Sequence, residues 1–155
     1  MMKKLLATLV ISLVWCSVGY AEEINLKGIK EFKLLVRHDG DCNGENFVND
    51  INTSAKYILG NSKIKLTEEA SKEWLYIYIK TVSDSNICSS YLKVETFRFG
   101  FKKNSAGNEG FGPIISYKDT HVMISMLASN HKKAVIDKFE SMIKKFVVEW
   151  MDSQK

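Results

Sequence analysis

The C-terminal segment, residues 130–152, constrains the fold more than any other part of the chain. Apolar residues recur there at intervals of three and four, the spacing of one face of an α-helix, and neither Gly nor Pro interrupts them. This apolar line consists of Ile136, Phe139, Ile143, Phe146 and Trp150, flanked by Val135, Met142, Val147 and Met151. The face is wider than a coiled-coil seam. We therefore predict a long helix, N-capped by Ser129 or Asn130, that covers a β-sheet.

Two other kinds of amphipathic helix fit this segment less well. A coiled coil needs about three or four heptads, and the segment holds only about two. A helix lying on a membrane surface would have a mainly basic polar face, whereas this polar face mixes Lys132, Lys133 and Lys138 with Asp137 and Glu140.

The N-terminal segment has the regions of a secretory signal peptide. Residues 1–4 are short and basic, and residues 5–18 form an uncharged apolar run too short to span a bilayer comfortably. Small residues then precede Glu22. We predict cleavage after Ala21, which leaves residues 22–155 as a single small domain in the periplasm or outside the cell, without a transmembrane anchor.

Cleavage would change both the charge and the cysteine content of the chain. Loss of Lys3 and Lys4 lowers the formal net charge from +4 to +2, too small a value to indicate nucleic acid or anionic lipid as an obligate partner. Cys16 would also be removed. Its lipidation is disfavoured because the bulky Trp15 stands where a small residue is expected.

Cys42 and Cys88 are the cysteines of the predicted mature domain. An even pair in an oxidising compartment indicates a disulfide. Closing a loop of about 47 residues should stabilise the fold by about 4 kcal/mol in the chain-entropy model. A metal-binding thiol pair is the alternative, but no histidine at a suitable spacing accompanies the cysteines.

The predicted elements follow the order β-α-β-β-β-β-α. Strands are predicted at residues 28–37, 63–66, 74–82, 87–101 and 113–126, with a first helix at 45–59. Because Cys42 and Cys88 each follow a strand, their bond would bring the ends of the first and third strands to one edge of the sheet, so these strands should run parallel. The fold class is therefore α+β: a mixed, mostly antiparallel sheet with two helices packed on one face and one disulfide.

The turn after the first strand fits the start of a calcium loop. Its residues 39–44 match D-x-[DN]-x-[DN]-G, and the twelfth loop position falls on Asp50. The predicted ligands are Asp39, Asp41, Asn43 and Asp50. Asp50 is a weaker fit than the usual bidentate Glu, so a turn leading into a capped helix is the simpler interpretation. No cofactor other than Ca²⁺ is indicated.

Basic residues lie at the start of the last helix, where the helix dipole disfavours them. His131, Lys132 and Lys133 could contact an anion or an acidic partner there. A solvated basic turn is the alternative interpretation.

The aromatic segment before the last strand has two interpretations. Phe97, Phe99 and Phe101 share one strand parity and are predicted to pack beneath the last helix. Residues 102–112 are rich in turn formers and are predicted to form a mobile loop. That loop could hold a partner through Lys102, Lys103 and Phe111.

Catalytic residues are scarce in this sequence. His38 with Asp39 or Asp41 could converge at the end of the first strand, which would suit a small hydrolase, but no nucleophile can be assigned. We therefore expect a binding or accessory protein, inhibitor-like or immunity-like, acting on another envelope or secreted protein. The calcium-binding module and the hydrolase are the alternative functions.

Overall fold

The computed structural model describes residues 26–40, 42, 44, 46–69, 73–103 and 107–155, so the predicted signal peptide lies outside the described residues. The elements are β1 (Glu31–Asp39), α1 (Phe47–Asn61), β2 (Lys65–Leu66), β3 (Trp74–Asp84), β4 (Ile87–Lys103), β5 (Glu109–Leu127) and α2 (Ala128–Ser153). The strands form one mixed sheet in the order β2-β1-β3-β4-β5. Both helices cover the same face, and the predicted α+β fold class is confirmed.

The predicted parallel pairing of the first and third strands is also confirmed. Lys33 pairs with Trp74, and the register continues to Asp39 beside Lys80. The Cys42–Cys88 disulfide is present, with its Cα atoms 6.1 Å apart. It joins the turn after β1 to the start of β4, so it closes the crossover that contains α1 and β2.

The aliphatic side chains on one face of the strands point towards the helices and form the core. In β3 the buried residues are Leu75, Ile77 and Ile79, and in β4 they include Leu92 and Val94. The prediction that the aromatic residues of β4 pack beneath the last helix is wrong. The aromatic side chains of β3 and β4 lie on the opposite face of the sheet.

Helix α2 is longer than predicted and lies with its apolar stripe against the sheet. Its 26 residues span about 39 Å. Its buried apolar side chains are Val135, Phe139, Met142, Ile143, Phe146 and Val147, whereas Ile136 and Trp150 of the predicted line are partly buried. The Phe146 ring packs edge-on against Phe32 of β1 at 5.6 Å and against Tyr117 of β5 at 5.1 Å.

The predicted N-cap at Ser129 or Asn130 is wrong. The helix begins at Ala128 with Leu127 in the N-cap position and no side-chain cap. The backbone N–H of Ala128 instead donates to the Asn86 carbonyl in the β3–β4 turn, at 2.9 Å. A backbone acceptor thus replaces the expected side-chain acceptor at the helix start.

The C-terminal end of α2 holds the segment that leads into β1. The indole N–H of Trp150 donates to the Ile29 carbonyl at 2.7 Å. The Gln154 amide donates to the Leu26 carbonyl at 2.8 Å and accepts from the Gly28 N–H at 3.1 Å. These contacts bring the two ends of the described domain together.

The predicted mobile loop at residues 102–112 is mostly a continuation of two strands. Phe101 pairs with Phe111, Lys102 with Gly110, and Lys103 with Glu109. Lys102, Lys103 and Phe111 are therefore strand residues in a long β4–β5 hairpin. The Gly and Asn signals did not mark a long loop, because cross-strand aromatic pairs extend the ladder almost to the turn.

Candidate interaction surface

The face of the sheet that the helices leave uncovered, here called the open face, carries the aromatic residues. In β3 it presents Trp74, Tyr76 and Tyr78, and in β4 it presents Tyr91, Phe97, Phe99 and Phe101. Side chains on a strand alternate between its two faces, so the same alternation that buries the aliphatic residues directs these rings outward.

The rings on the open face contact one another in a continuous row. Trp74 stacks on Phe97 with 6.2 Å between ring centroids, and Phe97 meets Phe99 edge-on at 5.5 Å. Phe99 stacks on Phe111 at 6.1 Å, and Phe111 meets Phe101 at 5.4 Å. We call these five residues the aromatic row. Cross-strand aromatic pairs of this kind stabilise the strand register.

A β-bulge in β5 adds apolar residues to the open face. Thr96 pairs with Tyr117 but Phe97 pairs with Ile115, so Ser116 is an extra residue in the ladder. Because an extra residue reverses the side-chain parity, Tyr117 points towards α2 while Ile115 lies on the open face. Pro113 joins it there, opposite Phe99. Proline is tolerated at this position because β5 is an edge strand.

A groove of about 320 Å³ crosses the open face. Its lining residues come from four strands and are Leu35, Arg37, Tyr76, Glu95, Phe97, Phe99, Pro113 and Ile115. The lining is mostly apolar, with Arg37 and Glu95 as its charged members. This combination suits a partner that buries apolar groups and makes a few directional polar contacts.

The β4–β5 hairpin extends beyond the rest of the sheet. Phe97 is the last residue of β4 paired with β3, so residues 98–103 and 109–114 form a two-stranded projection, here called the arm. Its aromatic side chains are far from buried: Phe99 is 55% exposed, Phe101 75% and Phe111 66%. Three large apolar rings grouped at a projecting tip are unusual for a surface that faces only water.

Charged residues border the aromatic row and are paired with one another. The Asp39 carboxylate accepts hydrogen bonds from the Tyr78 hydroxyl at 2.9 Å and from Arg37 at 3.2 Å, and these contacts lower the pKa of Asp39. Lys93 lies 2.8 Å from Glu95. The Lys33 ammonium lies 5.1 Å from the Trp74 ring centroid, within cation–π range.

The predicted calcium ligands that the structure describes have other partners. Asp39 lies on the open face with Tyr78 and Arg37, whereas Asp50 on α1 forms an ion pair with Lys132 of α2 at 2.6 Å. Within the described ranges, no group of three or more His, Cys, Asp or Glu side chains is placed to hold a metal ion. Asp41 and Asn43 lie outside those ranges, so the calcium site stays a prediction that calorimetric titration with Ca²⁺ can test.

The three basic residues at the start of α2 do not form a common surface. His131 is fully buried, with its Nε2 3.0 Å from the Ser90 hydroxyl oxygen. Lys132 bridges to Asp50 of α1, and Lys133 pairs with Asp137 one turn along α2. A joint anion contact through these side chains therefore has no support in their geometry, and it stays an untested prediction.

The residues considered for hydrolysis point to different faces of the sheet. The His38 ring packs against Phe47 of α1 at 4.9 Å, and its Nε2 lies 3.0 Å from the Thr81 hydroxyl oxygen. Asp39 lies on the open face, because adjacent strand residues point in opposite directions. Asp41 is outside the described residues. The structure therefore does not bring His38 and Asp39 together.

Comparison with known proteins gives no family assignment. A scan against protein-family models finds no match, and a search of curated proteins finds none. Among solved structures, the chain is similar to the crystal structure of a minor lipoprotein from Acinetobacter baumannii. The TM-score is 0.37 and the identity 12%, over 79% of this chain and 91% of that chain. At these values the likeness carries no argument about function.

No helix in the described ranges is both long enough and apolar enough to cross a membrane. The Cys42–Cys88 disulfide is of the kind that persists in oxidising compartments such as the bacterial periplasm or the extracellular medium.

Proposed function

We propose that this chain is an exported binding protein that holds another envelope or secreted protein on its open face. The observation that carries the proposal is the aromatic row, which continues from half-buried Trp74 and Phe97 on the sheet to three exposed rings on the arm. Aromatic side chains and Arg are enriched at the centres of protein–protein interfaces. The groove lined by Tyr76, Phe97 and Arg37 supplies both kinds of group.

Export is part of the proposal. The disulfide and the signal-like N-terminal segment both support an oxidising destination. The small net charge of the predicted mature domain argues for a protein partner rather than nucleic acid. The size and the scarcity of catalytic residues suit an accessory, inhibitor-like or immunity-like role.

Site-directed photo-crosslinking tests the location of the interface. A photoreactive phenylalanine analogue is placed at Phe101 on the arm, and at Tyr57 of α1 in a matched control. Tyr57 is also aromatic and is 72% exposed, but it lies on the helix side of the sheet. We expect one envelope protein to be crosslinked from position 101 and not from position 57. Equal crosslinking from both positions would contradict the proposal.

Affinity measurements with the crosslinked protein test the energetics. Replacing Phe99 or Phe101 by Ser should weaken binding about tenfold or more, since truncating an aromatic residue at an interface centre often costs about 2 kcal/mol or more. Tyr57→Ser should leave the affinity unchanged. Hydrolysis of ester, glycan or peptide substrates by the purified protein would instead indicate an enzyme.

A further inference from the structure

A small pocket lies between β5 and α2, at the edge of the sheet and on the side opposite the open face. Its volume of about 160 Å³ is several times the roughly 30 Å³ that one water molecule occupies in the liquid. Its lining includes Asp119 and His121 of β5 and Lys138, Ser141, Met142 and Lys145 of α2. None of these residues belongs to the aromatic row, so a site here is independent of the function proposed above.

The β5 wall of the pocket is made by two side chains that point towards α2. Asp119 pairs with Val94 of β4, and His121 pairs with Leu92. Both β4 residues are 1% exposed in the core, and directly opposed residues of neighbouring strands carry their side chains on the same face. The Asp119 carboxylate and the His121 ring are thus held on the helix side of the edge strand.

The α2 wall lies along one stripe of the helix. Lys138, Ser141 and Lys145 follow one another at intervals of three and four residues, so their side chains project from the same side. The Lys145 ammonium lies 3.4 Å from the Asp119 carboxylate, and this ion pair joins the two walls at one end of the pocket. Met142 is 3% exposed and supplies an apolar floor. The pocket therefore combines polar walls with one apolar surface.

The other polar side chains of the two walls have no partner. Within the described residues, no hydrogen bond or ion pair involves the Lys138 ammonium, the His121 ring or the Ser141 hydroxyl. Lys138 differs in this respect from the other lysines of α2, each of which pairs with a carboxylate. Lys138 is half-buried, and the residues one turn before and after it, Ala134 and Met142, are uncharged. Three groups that can donate hydrogen bonds therefore line one small pocket.

We propose that this pocket binds a small monocarboxylate such as acetate. A carboxylate only accepts hydrogen bonds, so it suits the Lys138 ammonium, the Ser141 hydroxyl and an N–H group of His121. The formal charges in the lining, two ammonium groups and one carboxylate, leave a single positive charge, which one negative charge balances. The Asp119 carboxylate would repel a dianion such as sulfate. The methyl end of the ligand meets the apolar surface of Met142.

Proton NMR of the three histidine rings tests the site, with acetate as the probe and His121→Gln to assign the His121 signals. Acetate replaces chloride at constant pH and ionic strength. We expect the His121 signals to shift and to saturate at millimolar acetate. His38 and His131 lie elsewhere in the fold, beside Thr81 and Ser90, and their signals should not move. Unchanged or non-saturating His121 signals overturn the proposal, and so do equal shifts of all three histidines.

Sulfate tests the charge of the ligand in the same titration. It should bind more weakly than acetate, because its second negative charge has no partner in the pocket. Equal or tighter binding of sulfate overturns the assignment of a monocarboxylate.

Matched lysine variants test the contact itself. Lys138→Gln should weaken acetate binding about tenfold or more, because a neutral amide replaces the charged donor. Lys144→Gln is the control, since it removes the same charge from α2 but Lys144 is exposed and pairs with Glu140 outside the pocket. Ser141→Ala should also weaken binding, because it removes the hydroxyl while alanine preserves the helix. Equal acetate affinities of the Lys138 and Lys144 variants overturn the proposal.

Discussion

At the residue scale, Gly40 shows how one position fixes the end of β1. Its φ angle is +118°, which L side chains rarely adopt, and a Cβ there would lie 2.1 Å from the Thr81 carbonyl oxygen. The backbone therefore passes against β3 as the chain turns towards Cys42. Gly40, which occupies a variable position of the calcium-like motif, thus has a packing role that does not depend on any metal ion.

His131 is the buried ionisable residue whose environment most directly predicts a pH effect. Burial lowers its pKa below the ordinary value of 6.5, so the folded protein takes up this proton at a lower pH than the unfolded chain does. As the pH falls below about 6.5, His131 binds its proton more readily in the unfolded chain than in the folded protein. The free energy of unfolding therefore decreases, until the pH reaches the lowered pKa of His131 in the folded protein. The slope is at most about 1.4 kcal/mol per pH unit.

We predict that His131→Gln removes this part of the pH dependence. Glutamine can still bond to the Ser90 hydroxyl but does not titrate. Urea unfolding of both proteins between neutral and mildly acidic pH measures the difference in slope, which isolates His131 from the other titrating groups. Identical slopes would show that His131 does not make the folded state sensitive to pH.

At the scale of elements, a single face of α2 attaches this helix to the sheet. Phe146 is fully buried between Phe32 and Tyr117, whereas Val148, two residues away, is 57% exposed. We predict that Phe146→Ala lowers the free energy of unfolding by about 3–5 kcal/mol, because it removes buried apolar surface and leaves a cavity. Val148→Ala, as the control, should change it by less than about 0.5 kcal/mol. Denaturant unfolding measures both, and comparable losses would mean that the helix does not pack as described.

The elements differ in how far the sequence predicted them. The stripe of α2 and the strands were predictable because their apolar residues follow a single period. The orientation of β3 was harder to predict, because the side chains on both of its faces are apolar or aromatic. A pattern of that kind does not say which face lies against the helices. In β4, Phe97, Phe99 and Phe101 were predicted to pack beneath the last helix, but they lie on the open face.

The arm was missed for a different reason. Gly107 and Asn108 are genuine turn signals, but Gly110 and Gly112 lie within β5, where glycine usually weakens a strand. Stacking of Phe99 and Phe101 on Phe111 across the strands could not be read from local composition. The bulge at Ser116, which brings Pro113 and Ile115 to the groove, likewise leaves no local signature in the sequence.

At the scale of the whole molecule, the two faces of the sheet have separate roles. The helix side contains the core and its connections, such as the hydrogen bond from the Ser54 hydroxyl to Glu140 at 2.8 Å, which links α1 to α2. The open face carries the groove and the aromatic row. Substitutions of the exposed side chains on the arm therefore leave the helix-side core unchanged, so that binding can be tested with that core intact.

The disulfide ties the turn after β1 to the start of β4, across the crossover that contains α1 and β2. It closes a loop with a sequence separation of 46, from the turn after β1 to the start of β4. Replacing both Cys42 and Cys88 by Ser should lower the free energy of unfolding by about 2–5 kcal/mol, since the unfolded chain regains the entropy that the crosslink removes. Urea denaturation of the oxidised wild type and the double variant measures the loss, and the reduced wild type serves as the control.

If the reduced protein and the double variant unfold at the same midpoint, below that of the oxidised protein, the crosslink itself accounts for the difference. A midpoint unchanged by either treatment would mean that the helix–sheet core holds the crossover in place without the bond.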